Sequence, residues 1–355
     1  MSTPTALLQL ARLGIGHGVD RAFADFEWNN IQVLAAKQGL SAVVIDGVEG
    51  LPESKRPPKE LLMQWIGDTL LNYEYRFELY KRAITEMAAW YNSHGFKMMV
   101  LKGYACSLNW PKPEHRPCGD IDIWLFGQQE IADVLMAKDL GLKVDNSHHH
   151  HTVFGWRDFM VENHYDFVNV YDFKSSKKIE DILKKLGEDD THSLDVYGEK
   201  VYLPSANLHA LFLVKHMVSH FASEYITIRQ LLDWAFFVEK HTKEIDWKWF
   251  EGILDEYYLR DFFNCVNAIC VEDLGFVSSI FPVVQFDPIL KDRVLKDILK
   301  PEFNEKEPKW LIPRLLFKFR RWEANGWKQE LCYKENRWSI FWRGIWYHIL
   351  KPSSF

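Results

Sequence analysis

The chain has 355 residues, 43 basic against 49 acidic side chains and a formal net charge of −6. Hydrophobic residues make up 47% and charged residues 26%, a globular composition that excludes a disordered chain and is long enough for sizeable buried cores. The negative balance excludes a uniformly basic nucleic-acid coat but leaves room for a local basic patch.

Aromatic residues reach 15%, with 15 tryptophans, so deep cores or aromatic-lined clefts are expected. No apolar run reaches the roughly 18 to 20 residues that span a bilayer, and no transmembrane segment is expected. The first 18 residues carry a short apolar stretch without a basic leader, which argues against a secretory signal. Cys106, Cys118, Cys265, Cys270 and Cys332 form no C-x-x-C pair and leave an odd thiol, so a reduced, cytoplasmic protein is expected.

In chain order, residues 5–46 carry short helical patterns with a turn near 14–18, and the Pro-rich, charged stretch 51–59 reads as a linker. Over 60–94, apolar residues such as Trp65, Thr69, Tyr73, Phe77, Tyr80, Ile84, Met87 and Tyr91 recur every three or four positions, which predicts one long helix stopped by Gly95. Strands are predicted over 96–102, 121–126, 141–145, 159–167 and 200–203, with a helix over 129–139. From Pro204 onward the pattern is helical, most clearly over 206–222, 226–241, 247–258 and 261–274. The fold class expected is α+β: a small mixed sheet with flanking helices. Four segments are expected: an N-terminal helical region (1–95), a sheet core (96–204), a helical domain (205–308) and a basic, Trp-rich C-terminal segment (309–355).

The sharpest local feature is the run from Arg116 through Gly119 to Asp120-Ile121-Asp122. On a strand, Asp120 and Asp122 share one face while Ile121 and Ile123 point into a core. Two such carboxylates repel, and a divalent cation relieves the repulsion. Hard oxygen ligands suit Mg²⁺ or Mn²⁺ rather than zinc. Upstream, Lys102-Gly103 closes a predicted strand, where a glycine lets a phosphate approach the backbone and a following helix can hold negative charge. A third acid is expected from 159–167, where Met160, Glu162, His164 and Asp166 fall on one face, a functional surface or a solvated edge. Glu162 and Asp166 are both candidates.

Leu101-Lys102-Gly103, the Arg116-x-x-Gly119-Asp120-x-Asp122 run and Glu162-x-His164 resemble the DNA polymerase beta-like nucleotidyltransferase superfamily. More closely, the pattern is similar to the bacterial uncharacterised nucleotidyltransferase family. Arg229 to Trp234 and Ile245-Asp246-Trp247 are similar to that family's helical segment. The resemblance implies a nucleotidyltransferase core that moves a nucleoside monophosphate from a nucleoside triphosphate, ATP being expected, to a hydroxyl or phosphate acceptor. It implies that Asp120 and Asp122 bind two Mg²⁺ or Mn²⁺ ions and that Glu162 completes the metal site. It also implies a nucleotide-binding set of Lys102, Gly103, Arg116, Gly119 and His164. In this set Lys102 and Arg116 face the leaving pyrophosphate, and His164 orients Glu162 or the acceptor. One departure is Tyr104, where many members have a serine that contacts the triphosphate. Tyr104 and the basic tail keep open a catalytically silent protein that binds nucleotide or another polyanion and acts through partners. An RNA-directed transferase is a third reading.

Other candidates have plainer readings. His209, His216 and His220 share a helix face, and His216-x-x-x-His220 lacks the glutamate of a metalloprotease motif, so a packed or cleft-lining row is expected. The tract from His148 to His151 reads as a polar loop or strand end, with its rings pointing both ways rather than converging. Cys118 reads as a small buried residue rather than a nucleophile. Arg229 and Asp233, at i and i+4, form a helix-surface pair or contribute to base or acceptor binding. Residues 309–355 hold ten basic and three acidic side chains interleaved with six tryptophans. A helical cap whose tryptophans pack on the body is expected, with nucleic acid, an anionic lipid surface or an acidic partner as alternatives.

Overall fold

The computed structural model of the chain describes residues 1–18, 25–171, 173–188, 192–282 and 285–342. Three helices lead: α1 (Thr3–Gly14), α2 (Trp28–Gln38) and α3 (Ser41–Glu49). Ser2 caps the first by accepting from the Thr5 amide. Helices α1 and α3 touch backbone to backbone at a reciprocal glycine pair. A Cβ on Gly14 would lie 1.9 Å from the Val43 carbonyl oxygen, and one on Gly47 would lie 2.1 Å from that of Leu10.

The long helix expected over 60–94 is built in three parts: α4 (Lys59–Thr69), a π-helical turn over Leu70–Tyr75, and α5 (Arg76–Ser93). The π turn widens the helix by a residue per turn and re-aims α5, a device that apolar spacing does not reveal. Gly95, at φ +80°, ends the run as expected.

The sheet segment then follows as β1 (Met99–Val100), α6 (Lys102–Ser107), β2 (Ile121–Trp124), α7 (Gln129–Leu140), β3 (His151–Trp156), β4 (Phe159–His164), α8 (Lys174–Glu188), β5 (Ser193–Val196) and β6 (Glu199–Tyr202). Strand order is β3-β4-β2-β1-β6-β5. The pairs β2–β4 and β1–β6 are parallel and the rest antiparallel.

Several expectations change here. The strand over 96–102 shrinks to two paired residues, because the chain turns at Gly103 (φ +20°, ψ −96°) into α6. The strand expected over 141–145 reduces to a single bridge between Asp145 and Val153. On the side away from β2, β4 pairs with β3, a strand not expected, which starts at the last histidine of the tract and was hidden by its polar beginning. Strand β5 is exposed along most of its length and gave a weak apolar pattern; α8, also not expected, places Ile179, Ile182, Leu183 and Leu186 at helical spacing among lysines and buries Ile179 and Leu183.

Seven further helices complete the described chain: α9 (Ala206–Ser223), α10 (Ile228–His241), α11 (Trp247–Glu256), α12 (Arg260–Glu272), α13 (Pro288–Leu299), α14 (Leu311–Ala324) and α15 (Gly326–Cys332). Thr227 and Gln230 form a capping box at α10, and Asp246 caps α11 through the Trp249 amide.

The sheet separates two apolar cores. On one face Ile121, Ile123 and Val161 meet Tyr80, Ile84 and Met87 of α5 and Met136 of α7. On the other, Met99, Leu101 and Trp124 join a larger core that runs from Ala6 and Leu10 through α9, α10 and α12 to Tyr333. Gln38, nearly buried, ties the leading helices to the later ones by donating to the Ile298 carbonyl (2.8 Å) and accepting from the Ile228 amide (2.9 Å). The architecture is therefore α+β, and no helix among the described residues is long and apolar enough to cross a membrane.

The basic tail departs from a fully packed cap. Trp327 lies under the Arg293 guanidinium (3.9 Å to the ring centre) and beside Phe221, and Trp322 lies under Arg337. Trp310, Trp338 and Trp342 are exposed. Trp346, Arg343 and Lys351 lie outside the described residues.

Candidate functional site

Strand register assembles the candidate site. In the parallel β2–β4 pair, Asp122 is the partner of Glu162 and Trp124 that of His164. Side chains alternate along a strand, so Asp122, Glu162 and His164 all stand on the face opposite Ile121, Ile123 and Val161. Asp120, one residue before β2, adds a third carboxylate at the same place. Asp120, Asp122 and Glu162 open onto a cavity of about 400 Å³ that Lys102 and Gly119 also line, with His216 and His220 from α9 and Arg229 from α10 facing them, while His164 lies buried behind Asp122.

Asp122 is the hub of this cluster. It is 6% exposed. The Lys102 ammonium stands 2.6 Å from its Oδ1 and His164 Nε2 stands 3.1 Å from the same oxygen. His164 Nε2 also lies 3.6 Å from Glu162 Oε2, and its Nδ1 faces the Asp166 carbonyl oxygen at 3.1 Å. Burial alone would raise the Asp122 pKa, but the Lys102 charge and the His164 hydrogen bond outweigh it and hold the carboxyl well below its usual range. His164 responds in the opposite sense. Burial disfavours its charged ring, yet bonding to Asp122 and Glu162 wins and raises its pKa. Glu162 is lowered despite its burial, chiefly by the His164 bond. Asp120 is raised, by burial first and then by the negative charges of Glu162 and Asp122.

Those shifts test whether the residues fit a cation. Asp122, Glu162 and His164 each offer a donor atom within 4.8 Å of the others. Among the described residues, neither Asp120 nor Glu162 has a lysine or arginine within ion-pair reach, so Lys102 and a charged His164 together leave the three carboxylates with negative charge uncompensated. A group of acids that repel one another at a cavity, with oxygen atoms directed inward, fits a hard divalent cation.

The remaining sequence candidates divide. Glu162 faces the cavity, whereas Asp166 lies past the end of β4 and pairs with Lys184. Arg116 reaches the cavity wall, but its guanidinium is buried and committed to Asp233, with Nε to Oδ1 at 2.7 Å and Nη2 to Oδ2 at 3.0 Å. It is therefore held in a fork rather than directed at a phosphate. Asp233 also accepts from Trp110 Nε1 (2.9 Å) and lies 3.8 Å from Arg229, so the surface-pair reading of Arg229 and Asp233 gives way to a buried network. Gly103 owes its lack of a side chain to Tyr80, since a Cβ there would meet the Tyr80 hydroxyl at 2.2 Å; it is Gly119 that has open space beside it. Tyr104 turns away from the cavity and is 3% exposed against Phe77.

His216 and His220 stack at 4.4 Å and line the cavity, while His209 is buried against Cys106 and Phe237. The cleft-lining or packed reading of that row holds. The histidine tract is the loop and strand end expected, and its four rings do not all converge; the adjacent pair His150 and His151, rather than alternate residues, meets His164. Sequence reasoning also missed Tyr80, which donates to the Asp120 carbonyl at 2.8 Å, and Arg76, which donates to the Cys118 carbonyl at 3.2 Å. Both come from α5, some forty positions upstream, and only the apolar periodicity of Tyr80 marked either of them.

Among solved structures, an antigenic nucleotidyltransferase-like protein from Paracoccidioides brasiliensis is similar to this chain at 16% identity with a TM-score of 0.32, over 45% of this chain and 75% of its own. No curated protein matches. The model of the family described as uncharacterised nucleotidyltransferase matches residues 24–275. That span takes in the leading helices from α2 onward, the whole sheet with Asp120, Asp122 and Glu162, and the helices that close the cavity. The chain belongs to the uncharacterised nucleotidyltransferase family.

Proposed function

We propose that the chain is a cation-dependent nucleotidyltransferase that moves a nucleoside monophosphate from a nucleoside triphosphate, ATP being the expected donor, to an acceptor hydroxyl or phosphate. An acceptor oxygen forms a bond to the α-phosphorus as the bond from that phosphorus to the bridging oxygen breaks, and pyrophosphate leaves. What supports the reading most is one observation: the parallel register that sets Asp122 beside Glu162, with Asp120 next to them, lining a cavity in a chain of this family.

Asp120, Asp122 and Glu162 would hold Mg²⁺ or Mn²⁺. Such ions supply charge neutralisation at the reacting phosphate and acidify the acceptor oxygen. The chain's own residues do the rest. His164 bridges Asp122 and Glu162 and fixes their orientation, with its Nδ1 set against the Asp166 carbonyl. Lys102 neutralises Asp122 before substrate arrives and, as a mobile point charge at the cavity floor, is placed to move to the triphosphate. Arg229 serves the phosphates from the opposite wall in the role first expected of Arg116, whose part is to position Asp233 and α10. Gly119, with nothing beside it, leaves room for a phosphate at the backbone.

A second reading, a nucleotide- or polyanion-binding protein without catalysis, is favoured by the Lys102–Asp122 pair, which already satisfies the central carboxylate. One experiment separates them. Pyrophosphate release is measured over a panel of nucleoside triphosphates and acceptors with Mg²⁺ or Mn²⁺, for the native chain and for Asp120→Asn and Asp122→Asn. Catalysis predicts cation-dependent release that both variants abolish. Release that survives both substitutions removes the carboxylate site, and nucleotide binding without release in any combination leaves the binding reading.

A further inference from the structure

The histidine tract has no part in the nucleotidyl-transfer reading, yet two of its rings are directed at the same place. Strand β3 begins at His151, whose antiparallel partner on β4 is His164. The His151 and His164 ring centres are 5.3 Å apart, His150 lies 5.6 Å from His164, and His150 stands edge-on to His151 at 4.4 Å. One ring nitrogen from each of the three falls within 4.8 Å of the others.

The Nδ1 atoms of His150 and His151 are both buried and have no hydrogen-bond partner. His151 is 6% exposed, so an unsatisfied nitrogen there carries a real cost. The backbone around both rings is pinned: the His150 carbonyl accepts from the Tyr165 and Asp166 amides, both at 3.1 Å, and the His148 carbonyl accepts from the Tyr165 hydroxyl at 2.9 Å. The third ring, His164, sets its Nδ1 against the Asp166 carbonyl, the support that metal-binding histidines commonly have. Glu162 Oε1 lies 3.8 Å from His151 Nε2 and supplies a candidate fourth donor.

We infer that His150, His151 and His164 form a binding site for a borderline divalent transition-metal ion, of the Zn²⁺ or Co²⁺ class, at the edge of the carboxylate cluster. Three imidazole nitrogens with one carboxylate form a nitrogen-rich set that suits such ions and that Mg²⁺ does not favour, and His164 Nε2 exchanges the proton it shares with Asp122 for the metal on binding. The inference does not depend on nucleotidyl transfer, because the site is defined by its donors and is read out by metal binding alone.

The test uses the full chain, stripped with a chelator and titrated with Co²⁺ in the presence of excess Mg²⁺. Visible ligand-field bands that saturate at a single equivalent are expected. His150→Ala and His151→Ala should each weaken Co²⁺ binding by at least ~10-fold, while Asp120→Asn leaves it in place. Absence of saturable bands overturns the inference, as does displacement by Mg²⁺ or loss of binding in Asp120→Asn with retention in both histidine variants. X-ray absorption at the cobalt edge of the native chain guards against a variant that fails to fold. Imidazole scattering supports the site and an oxygen-only shell overturns it.

Discussion

Replacing Asp233 with alanine removes the acceptor that holds Arg116, and the consequence follows from the burial of both groups. Arg116 is 3% exposed and Asp233 4%. Their forked pair uses both carboxylate oxygens, at 2.7 and 3.0 Å, and Trp110 adds a third bond at 2.9 Å. In Asp233→Ala the guanidinium remains buried without a counter-charge, and breaking such a pair costs about 3–5 kcal/mol. With a urea dependence of ~2–3 kcal/mol per molar, the unfolding midpoint should fall by about 1–2.5 M. Urea titration followed by both circular dichroism and tryptophan fluorescence measures the shift and shows whether the transition stays cooperative. The double variant Arg116→Met with Asp233→Leu removes both charges together, and should recover more than half of the loss because apolar replacement of a whole buried pair is often neutral. A midpoint shift under about 0.3 M in Asp233→Ala, against the ~1 M or more expected, would refute the reasoning. So would a double variant no more stable than the single one.

Three further outcomes follow from the same geometry. Gly103→Ala drives a methyl into the Tyr80 hydroxyl at a backbone φ of +20° and should destabilise the chain by roughly 1–3 kcal/mol; adding Tyr80→Phe should return part of this in thermal melts, and no rescue would remove the clash as the cause. Burial holds His209 at about 3 in the folded chain while an unfolded ring titrates near ~6.5, so its stabilising neutrality is complete above pH ~6.5 and is lost as pH falls toward 3. His209→Gln should therefore lose about 2 kcal/mol less than the native chain between pH 7 and pH 5, and parallel pH profiles would contradict this. Burial pushes the Cys118 thiol up to about 11, against the pull of Arg116 and Arg76; its thiolate fraction at neutral pH is on the order of 100-fold below that of a free cysteine, and fast iodoacetamide labelling there would show that its surroundings are misassigned.

How much of the site was legible in the sequence depends on how local each signal is. The alternation of Asp120 and Asp122 with Ile121 and Ile123 assigns faces directly, and β2 keeps them. Glu162 and His164 could be assigned a common face by the same rule, but their position beside Asp122 comes from strand register, which a single strand does not encode. The His216 and His220 row followed from helical spacing. The Arg116–Asp233 fork joins positions 117 apart, so only folding could show that the arginine is committed elsewhere. The tract from His148 to His151 was legible as a polar loop or strand end, but the strand it opens was not, because the hairpin turn at Arg157, with φ +53°, lacks the glycine that usually announces one. The strand expected over 141–145 was the complementary error, since Leu142 and Val144 pack on the core shared with α5 and α7 without joining the ladder.

The central claim is that Asp120, Asp122 and Glu162 hold the cations of a nucleotidyl-transfer site. The most direct measurement is anomalous diffraction from crystals grown with Mn²⁺ and a non-hydrolysable ATP analogue. The account predicts manganese peaks bounded by those three carboxylates, with the triphosphate directed toward Lys102 and Gly119. Manganese absent from the three acids, or a nucleotide bound outside the cavity they line, would contradict it.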